Sequence, residues 1–434
     1  MSRSLRLAFL LLLAAPVAAQ PAPDYVRIPF NVSFWRGISV GDAVAADTSR
    51  KVLHHVSLNL PAGRADRLEG VAVGVFSTVY EESAYGVQAA GLANVAGEES
   101  AVIQVAGLAN VVGEGLTGVQ LAGLANISGG RLQGIQVSGL ANVAGEGGGF
   151  LQAAGLANVA GERFAGVQAA GLASVAGERF RGIQSAGLAN IAGENAEGAQ
   201  AAGLANIAGE DLRGVQSAGL ANIVGEDLVG LQTSLFNVVG GRMRGGQVGL
   251  VNVAATSAGL QVGLVNVAGE QRGVPVGLYS RTEGVPVRLD VWTDETAALH
   301  VGVRSGSAVV SNYVGISARP FADAALRWGA FAGLGVERPF DDRTAWGLDA
   351  FVHGLFAEDF GDGASTLVRL RFIVTRVLSP GVAVFGGPAA SLFISDEDDG
   401  SSLAPFSVFE DEGSTFVRAW PGLEVGLRIR ITDD

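Results

Sequence analysis

The stretch 86–99, GVQAAGLANVAGEE, decides how this chain folds, because it returns with small changes as far as residue 268. Its glutamine recurs at Gln88, Gln104, Gln120, Gln136, Gln152, Gln168, Gln184, Gln200, Gln216 and Gln232, each sixteen residues after the last. The asparagine six places on recurs at Asn94, Asn110, Asn126, Asn142, Asn158, Asn190, Asn206 and Asn222, with Ser174 the single lapse. The unit then tightens to GGQVGLVNVA (245–254) and GLQVGLVNVA (259–268), and fades as GVPVGLYS around Pro275. A fixed period in this range marks stacked units that bury little alone and make a core only with their neighbours.

Within one unit, apolar residues stand at Val87, Leu92 and Val95, and other copies add a fourth at Leu116, Leu132, Phe164, Phe180, Leu212 or Leu228. Their spacing of five, three, five and three divides the unit into two half-turns of eight residues. That pattern predicts a flattened β-solenoid coil with two short strands and two bends. Gly91, Gly97 and their copies stand at the bends, where glycine tolerates positive φ. The competing geometry is one large meandering transmembrane barrel in which each copy makes one pass. Against it, the step from glutamine to asparagine falls from six to five at Gln232, Gln247 and Gln261, a slip that would turn later side chains of a continuous strand to the other face. Tyrosine and tryptophan are also missing from Gly86 to Val276, although membrane strands use them as girdles. The bend glutamates (Glu98, Glu114, Glu146, Glu162, Glu178, Glu194, Glu210, Glu226) weigh the other way. Stacked on one edge they would repel by about 1 kcal/mol per neighbour in water, an effect that Arg163, Arg179, Arg181 and Arg213 partly offset.

The amide columns have two readings. They could form a sugar- or ice-binding face, or they could be structural ladders that hydrogen-bond along a β-stack and fix its register. The second is preferred, and these residues are the only ones singled out by position.

Residues 1–19 read as a secretory signal: Arg3 and Arg6, the apolar run LAFLLLLAAPVA, and small residues before a cut at Gln20. Residues 20–69 hold strand-like runs, DYVRIPFNVSFW and KVLHHVSLNL, and are expected to cap a solenoid over 70–284 that begins with a degenerate unit carrying Ala72 in the glutamine place. From Val285 the grammar changes and Trp292, Tyr313, Trp328, Trp346 and Trp420 appear. Eight strands can be drawn near 285–293, 297–306, 308–318, 325–338, 346–357, 366–378, 382–394 and 415–431, so 285–434 is expected to form a small antiparallel β-barrel. Leu423, Val425, Leu427, Ile429 and Ile431 alternate with Glu424, Arg428 and Arg430, and Val368, Leu370, Phe372 and Val374 with Arg369 and Arg371. Alternation does not say which face points inward. A soluble barrel buries the apolar face; a membrane barrel turns it to lipid and pairs the charges, with Asp349 and His353, inside.

Composition removes several classes of function. The 434 residues include 64 glycines and no cysteine, and 48% are hydrophobic against 16% charged, which is too apolar for disorder. The net charge is −13 and Lys51 is the sole lysine, which excludes a basic nucleic-acid face. Without cysteine there are no disulfides, thiolate zinc sites or lipoprotein anchors. No apolar run after the signal is long enough for a membrane helix, so any membrane must be crossed by strands. No GxSxG elbow, HExxH motif or P-loop occurs. His54, His55, His300 and His353 have no metal-ligand spacing, and the acidic groups Asp396–Asp399 and Glu410–Glu412 fit no EF-hand. No catalytic, cofactor-binding or metal-binding residue is therefore assigned, and no cofactor is expected.

The repeat resembles that of bacterial surface repeat-containing outer-membrane proteins, whose signature is a tandem G-hydrophobic-Q-x-G-L-x-N. The resemblance is carried by GGQVGLVNVA, GLQVGLVNVA and the longer GVQAAGLANVAG form, and extends to VPVRLDVWTDETAALHVGVRSG (285–306) and VAVFGGPAASLFIS (382–395). It implies an outer-membrane or cell-surface location and supplies no activity. The resulting expectation is an exported, non-enzymatic structural or adhesive protein that presents its repeats to a protein or surface polysaccharide. An outer-membrane pore or transport barrel is the alternative.

Overall fold

The computed structural model describes residues 25–35, 38–40, 43, 50–319, 328–356, 365–395, 403–404, 406–413 and 415–432. The signal sequence and the acidic run Asp396–Asp399 lie outside the described residues. The chain is all-β, with a solenoid of about 14 turns followed by a closed eight-strand antiparallel barrel. Successive copies of the repeat pair in parallel, which rules out the wide meandering barrel. Two compact units divide the chain, Met1–Val167 and Gln168–Asp434.

In the first unit the parallel stack starts ahead of the repeat. Strand Val26–Trp35 pairs in parallel with Val52–Asn59, which pairs with Arg67–Gly74, which in turn pairs with Ala84–Ala90. The strands expected in the N-terminal cap thus run in parallel with those of the repeat, and Ala72 of the degenerate unit lies beside Gln88. Each later turn has one strand of seven or eight residues carrying the glutamine, such as Leu116–Ala122, and one of four carrying the asparagine, such as Ala125–Ser128. The two half-turns are therefore unequal. Register is sixteen residues per turn, with Gln120 opposite Gln136 and Asn126 opposite Asn142.

In the second unit the step shortens to fifteen where Asn222 meets Asn237, and to fourteen where Gln247 meets Gln261. The columns stay aligned because one residue is lost between Gln232 and Asn237, at the Gly-Leu bend, and the next at a bulge, where Val239 lies opposite Ala254 but Arg242 opposite Thr256.

The inside of a turn is narrow and partly polar. In the turn built from Leu212–Ala218 and Ala221–Val224, the inward residues are Leu212, Gln216, Asn222 and Val224. Val215 and Leu220 face outward at 43% and 44% exposure. Positions equivalent to Val87, Leu92 and Val95 thus clothe the outside, and of the four apolar positions only the Leu116 and Leu132 class is buried.

The glycines also differ from expectation. Positive φ belongs to the glycine two places before most ladder glutamines, such as Gly198 at +121°, where an added Cβ would sit 2.1 Å from the carbonyl oxygen of Gly182; Val102 and Phe150 take that place before Gln104 and Gln152. Bend glycines such as Gly203 avoid positive φ; an added Cβ there would meet the Gly187 carbonyl oxygen at 2.1 Å, so close stacking excludes a side chain.

The barrel strands are Arg288–Asp294, Leu299–Gly306, Val310–Ala318, Trp328–Pro339, Thr344–Phe356, Ser365–Ser379, Val382–Ser395 and Phe416–Arg430. Neighbours pair in sequence order, and Val291 opposite Leu427 closes the ring. Glu410 and Asp411, expected in a loop, stand on an added edge strand, Phe409–Glu412, paired with the last barrel strand.

Candidate membrane interface

The barrel is built inside out relative to a soluble one. Leu370, Phe372, Val374, Leu423, Val425, Leu427 and Ile429 point outward and are exposed, while Arg369, Arg371, Asp290, Asp349, Glu424 and Arg428 are buried in the lumen. On strand Thr344–Phe356 the outward positions are Trp346, Leu348, Ala350, Val352, Gly354 and Phe356, none charged. Trp346 and Phe356 are ten residues apart. At ~3.4 Å per residue and a tilt of ~40°, that interval is roughly 26 Å along the barrel axis, against the ~25 Å apolar band of membrane barrels. Aromatics mark both ends: Trp328 pairs with Phe356 at one, and Trp346 stacks on Phe372 at the other, beside outward Arg338 and Arg376.

Buried charge is tolerated in the lumen because it is paired and hydrogen-bonded. Arg371 donates to Asp349 Oδ2 at 2.8 Å and Glu424 Oε1 at 2.6 Å, and its guanidinium lies 4.6 Å from the Phe351 ring centroid and 4.9 Å from that of Trp292. Arg428 forms a fork with Asp290 at 2.8 and 2.9 Å and also reaches Glu337 at 2.6 Å. Arg369 binds Glu295 at 2.7 Å and Ser391 at 2.8 Å. Trp292, Tyr313, Phe331, Phe351, Ile373 and Phe385 fill the space between. Tryptophan and tyrosine thus serve the lumen as well as the rims. Sequence spacing gave no hint that His300 and His353 meet here, with rings 5.8 Å apart and His300 Nε2 3.0 Å from Asp294 Oδ2. His54 and His55 lie far along the chain in the first turns, where the His54 ring meets Tyr80 edge-on and His55 contacts the Glu69 carbonyl.

All eighteen ladder amides are buried, so they offer no face to a sugar or to ice. In the first unit Gln104 Nε2 donates to Gln88 Oε1 at 2.7 Å, and Asn94 Nδ2 donates to Asn110 Oδ1 at 2.9 Å. In the second, Gln216 donates to Gln200 at 2.8 Å and Asn206 to Asn222 at 2.9 Å. Asparagines also donate to a backbone carbonyl of the next turn, as Asn206 does to Ser217 at 2.8 Å. Two interior acceptors lack a partner among the described residues: Asn190 Oδ1, above the lapse at Ser174, and Gln261 Oε1, where Pro275 takes the next glutamine place.

Outside the ladders the two edges of a turn differ. The Gly-Leu bend carries exposed leucines, among them Leu92, Leu108 and Leu124 in the first unit and Leu204, Leu250 and Leu264 in the second. The other bend carries the glutamates. There Arg179 pairs with Glu194 at 3.6 Å, and Arg181, Glu197 and Arg213 stack in alternating sign. The charge of Glu194 is thereby offset, and the strand column beside the bend adds attraction rather than repulsion.

Comparison with protein-family models, with curated proteins and with solved structures gives no match. What the chain does must be argued from these surfaces.

Proposed function

We propose that this is a non-enzymatic outer-membrane protein, held in the bilayer by its barrel and displaying a solenoid whose role is structural or adhesive. The single observation that carries this reading is the reversal of the barrel. Its outward wall is uncharged over a membrane's apolar thickness and is bounded by aromatics, while its lumen holds the paired charges. In water such a wall would leave the outward apolar side chains of most of its strands unsheltered, far beyond the apolar patch of an ordinary soluble domain. The leader and the resemblance to bacterial surface repeat-containing proteins support the same location. The valine, isoleucine and leucine exterior of the solenoid favours a lipid or protein partner over a polysaccharide, which needs hydrogen-bonding groups. A pore is the less supported reading, because the lumen of a barrel this size is filled by its own side chains, with Arg371 and Arg428 braced across it.

Cell fractionation tests the proposal. The protein should sediment with outer membranes, resist alkaline carbonate extraction, and lose membrane retention when Leu427 or Phe372 is replaced by arginine. Recovery of the wild type in the aqueous phase would refute it. In planar bilayers the purified protein should give no stable conductance; large steady channels would restore the pore.

A further inference from the structure

The end of the solenoid is fixed to the outside of the barrel. Gly277 N donates to Asn312 Oδ1 at 2.8 Å, Asn312 Nδ2 donates to the Pro275 carbonyl at 3.1 Å and to Ser280 Oγ at 2.9 Å, and Ser280 N donates to Ser305 Oγ at 3.1 Å. Asn312, Ser280 and Ser305 are buried, so this polar joint is sealed. Beside it a cleft of 790 Å³ separates the leucine edge of the last turns from the barrel wall. One side is formed by Leu250, Leu264 and Leu278, the other by Leu334, Ala350 and Val352. Among the described residues that line it Ser234 has the only polar side chain, and that hydroxyl already donates within its own turn, to Phe236 O at 2.7 Å or Asn237 Oδ1 at 2.8 Å.

Ala350 and Val352 belong to the middle of the outward band bounded by Trp346 and Phe356. If that band faces hydrocarbon, the cleft opens into hydrocarbon too. Water is a poor occupant, because an ordered water needs two or more polar partners and apolar cavities stay dry. The volume lies in the range of small-molecule sites. We infer that this cleft takes an acyl chain of a bilayer phospholipid, seated between the leucine edge and the barrel wall. The inference rests on the membrane reading given above. It goes further by assigning the solenoid a lipid contact and placing its leucine edge at the depth of the bilayer interior.

Photolabelling tests it. The full chain would be reconstituted into nanodiscs of phosphatidylcholine carrying a diazirine in mid-chain, irradiated, and its peptides mapped. Labelling at the Leu250–Leu264 and Val352 peptides should exceed that at the opposite wall, around Val384 and Leu427, several-fold. Ala350→Trp or Ala332→Phe, each filling the cleft from the lipid-facing side, should bring cleft labelling down to the level of the opposite wall without changing the latter. Uniform labelling of the whole wall, or cleft labelling unchanged in both variants, would overturn the proposal. Displacement by lipopolysaccharide but not by unlabelled phospholipid would overturn the choice of lipid. Absence of label anywhere on the barrel would instead refute the membrane reading.

Discussion

Replacing Ser174 by asparagine should stabilise the protein. Ser174 stands opposite Asn190 in the column, and its hydroxyl lies 3.5 Å from the Ser185 carbonyl, too long for a good hydrogen bond. Asn190 Oδ1 is left without a donor among the described residues. In the repaired turn an asparagine amide would take the geometry seen at Asn206, 2.9 Å from the next asparagine oxygen and 2.8 Å from the carbonyl above. A made hydrogen bond contributes about 1 kcal/mol net, and an unsatisfied buried acceptor costs about 1–3 kcal/mol, so satisfying it together with the new carbonyl bond should yield about 2 kcal/mol after side-chain ordering. Space is not limiting, since other turns bury asparagine at this place fully. The assay is equilibrium urea unfolding in detergent micelles, followed by intrinsic fluorescence and by proteolysis of the repeat. For a folding unit of 150–250 residues the gain corresponds to a rise in Tm of about 4–8 °C. The gain should fall to about 1 kcal/mol when Asn190 is alanine, since only the bond to the Ser185 carbonyl then remains, and Ser174→Ala should change little. If Ser174→Asn is no more stable than the wild type, or stabilises by as much in the Asn190→Ala background, the ladder is not what holds the turns in register.

Three further outcomes are expected. Arg371→Leu leaves Asp349 and Glu424 facing each other without their cation and should cost about 3–5 kcal/mol in unfolding measurements, much of it recovered when both carboxylates are made amides. Phe150 adopts φ of 109° at a place where neighbouring turns have glycine, so Phe150→Gly should stabilise by about 1 kcal/mol after the entropy cost of glycine, a change readable in the same titration. Burial pushes the Glu82 carboxyl up, but hydrogen bonds from Lys51 and Tyr25, with the charges of Lys51 and Arg67, outweigh it and hold the group below its ordinary value. Its contribution is therefore present above the unfolded carboxylate pKa of about 4.3 and is lost as pH falls through the lower folded value. Amide exchange in Val52–Asn59 should accelerate over that window, and less so in Glu82→Gln.

Much of the architecture was legible because repetition is hard to disguise. The glutamine and asparagine columns required stacked copies, the slip at Gln232 argued against a single continuous strand, and the eight strands after Val285 lie within a few residues of their expected places. Polarity was not legible. Leu427 and Arg428 alternate identically whether leucine or arginine points inward, and only the closed ring decides between them. The same holds in the solenoid, where the period located Val87, Leu92 and Val95 but not their outward direction. Val26–Trp35 and Val52–Asn59 were legible as strands, but not their parallel pairing into the stack, because they carry no copy of the repeat. The pairing of Asp290 with Arg428 across the closure, like the meeting of His300 and His353, depends on strand order and stagger and leaves no trace in local spacing.

The two amide columns point in opposite directions. Each glutamine hands its proton back toward the preceding turn, and each asparagine hands one on to the following turn. The amide dipoles of one column therefore oppose those of its neighbour turn by turn. A stack that gained or lost one whole copy would keep the same internal balance, so the columns themselves set no limit on copy number.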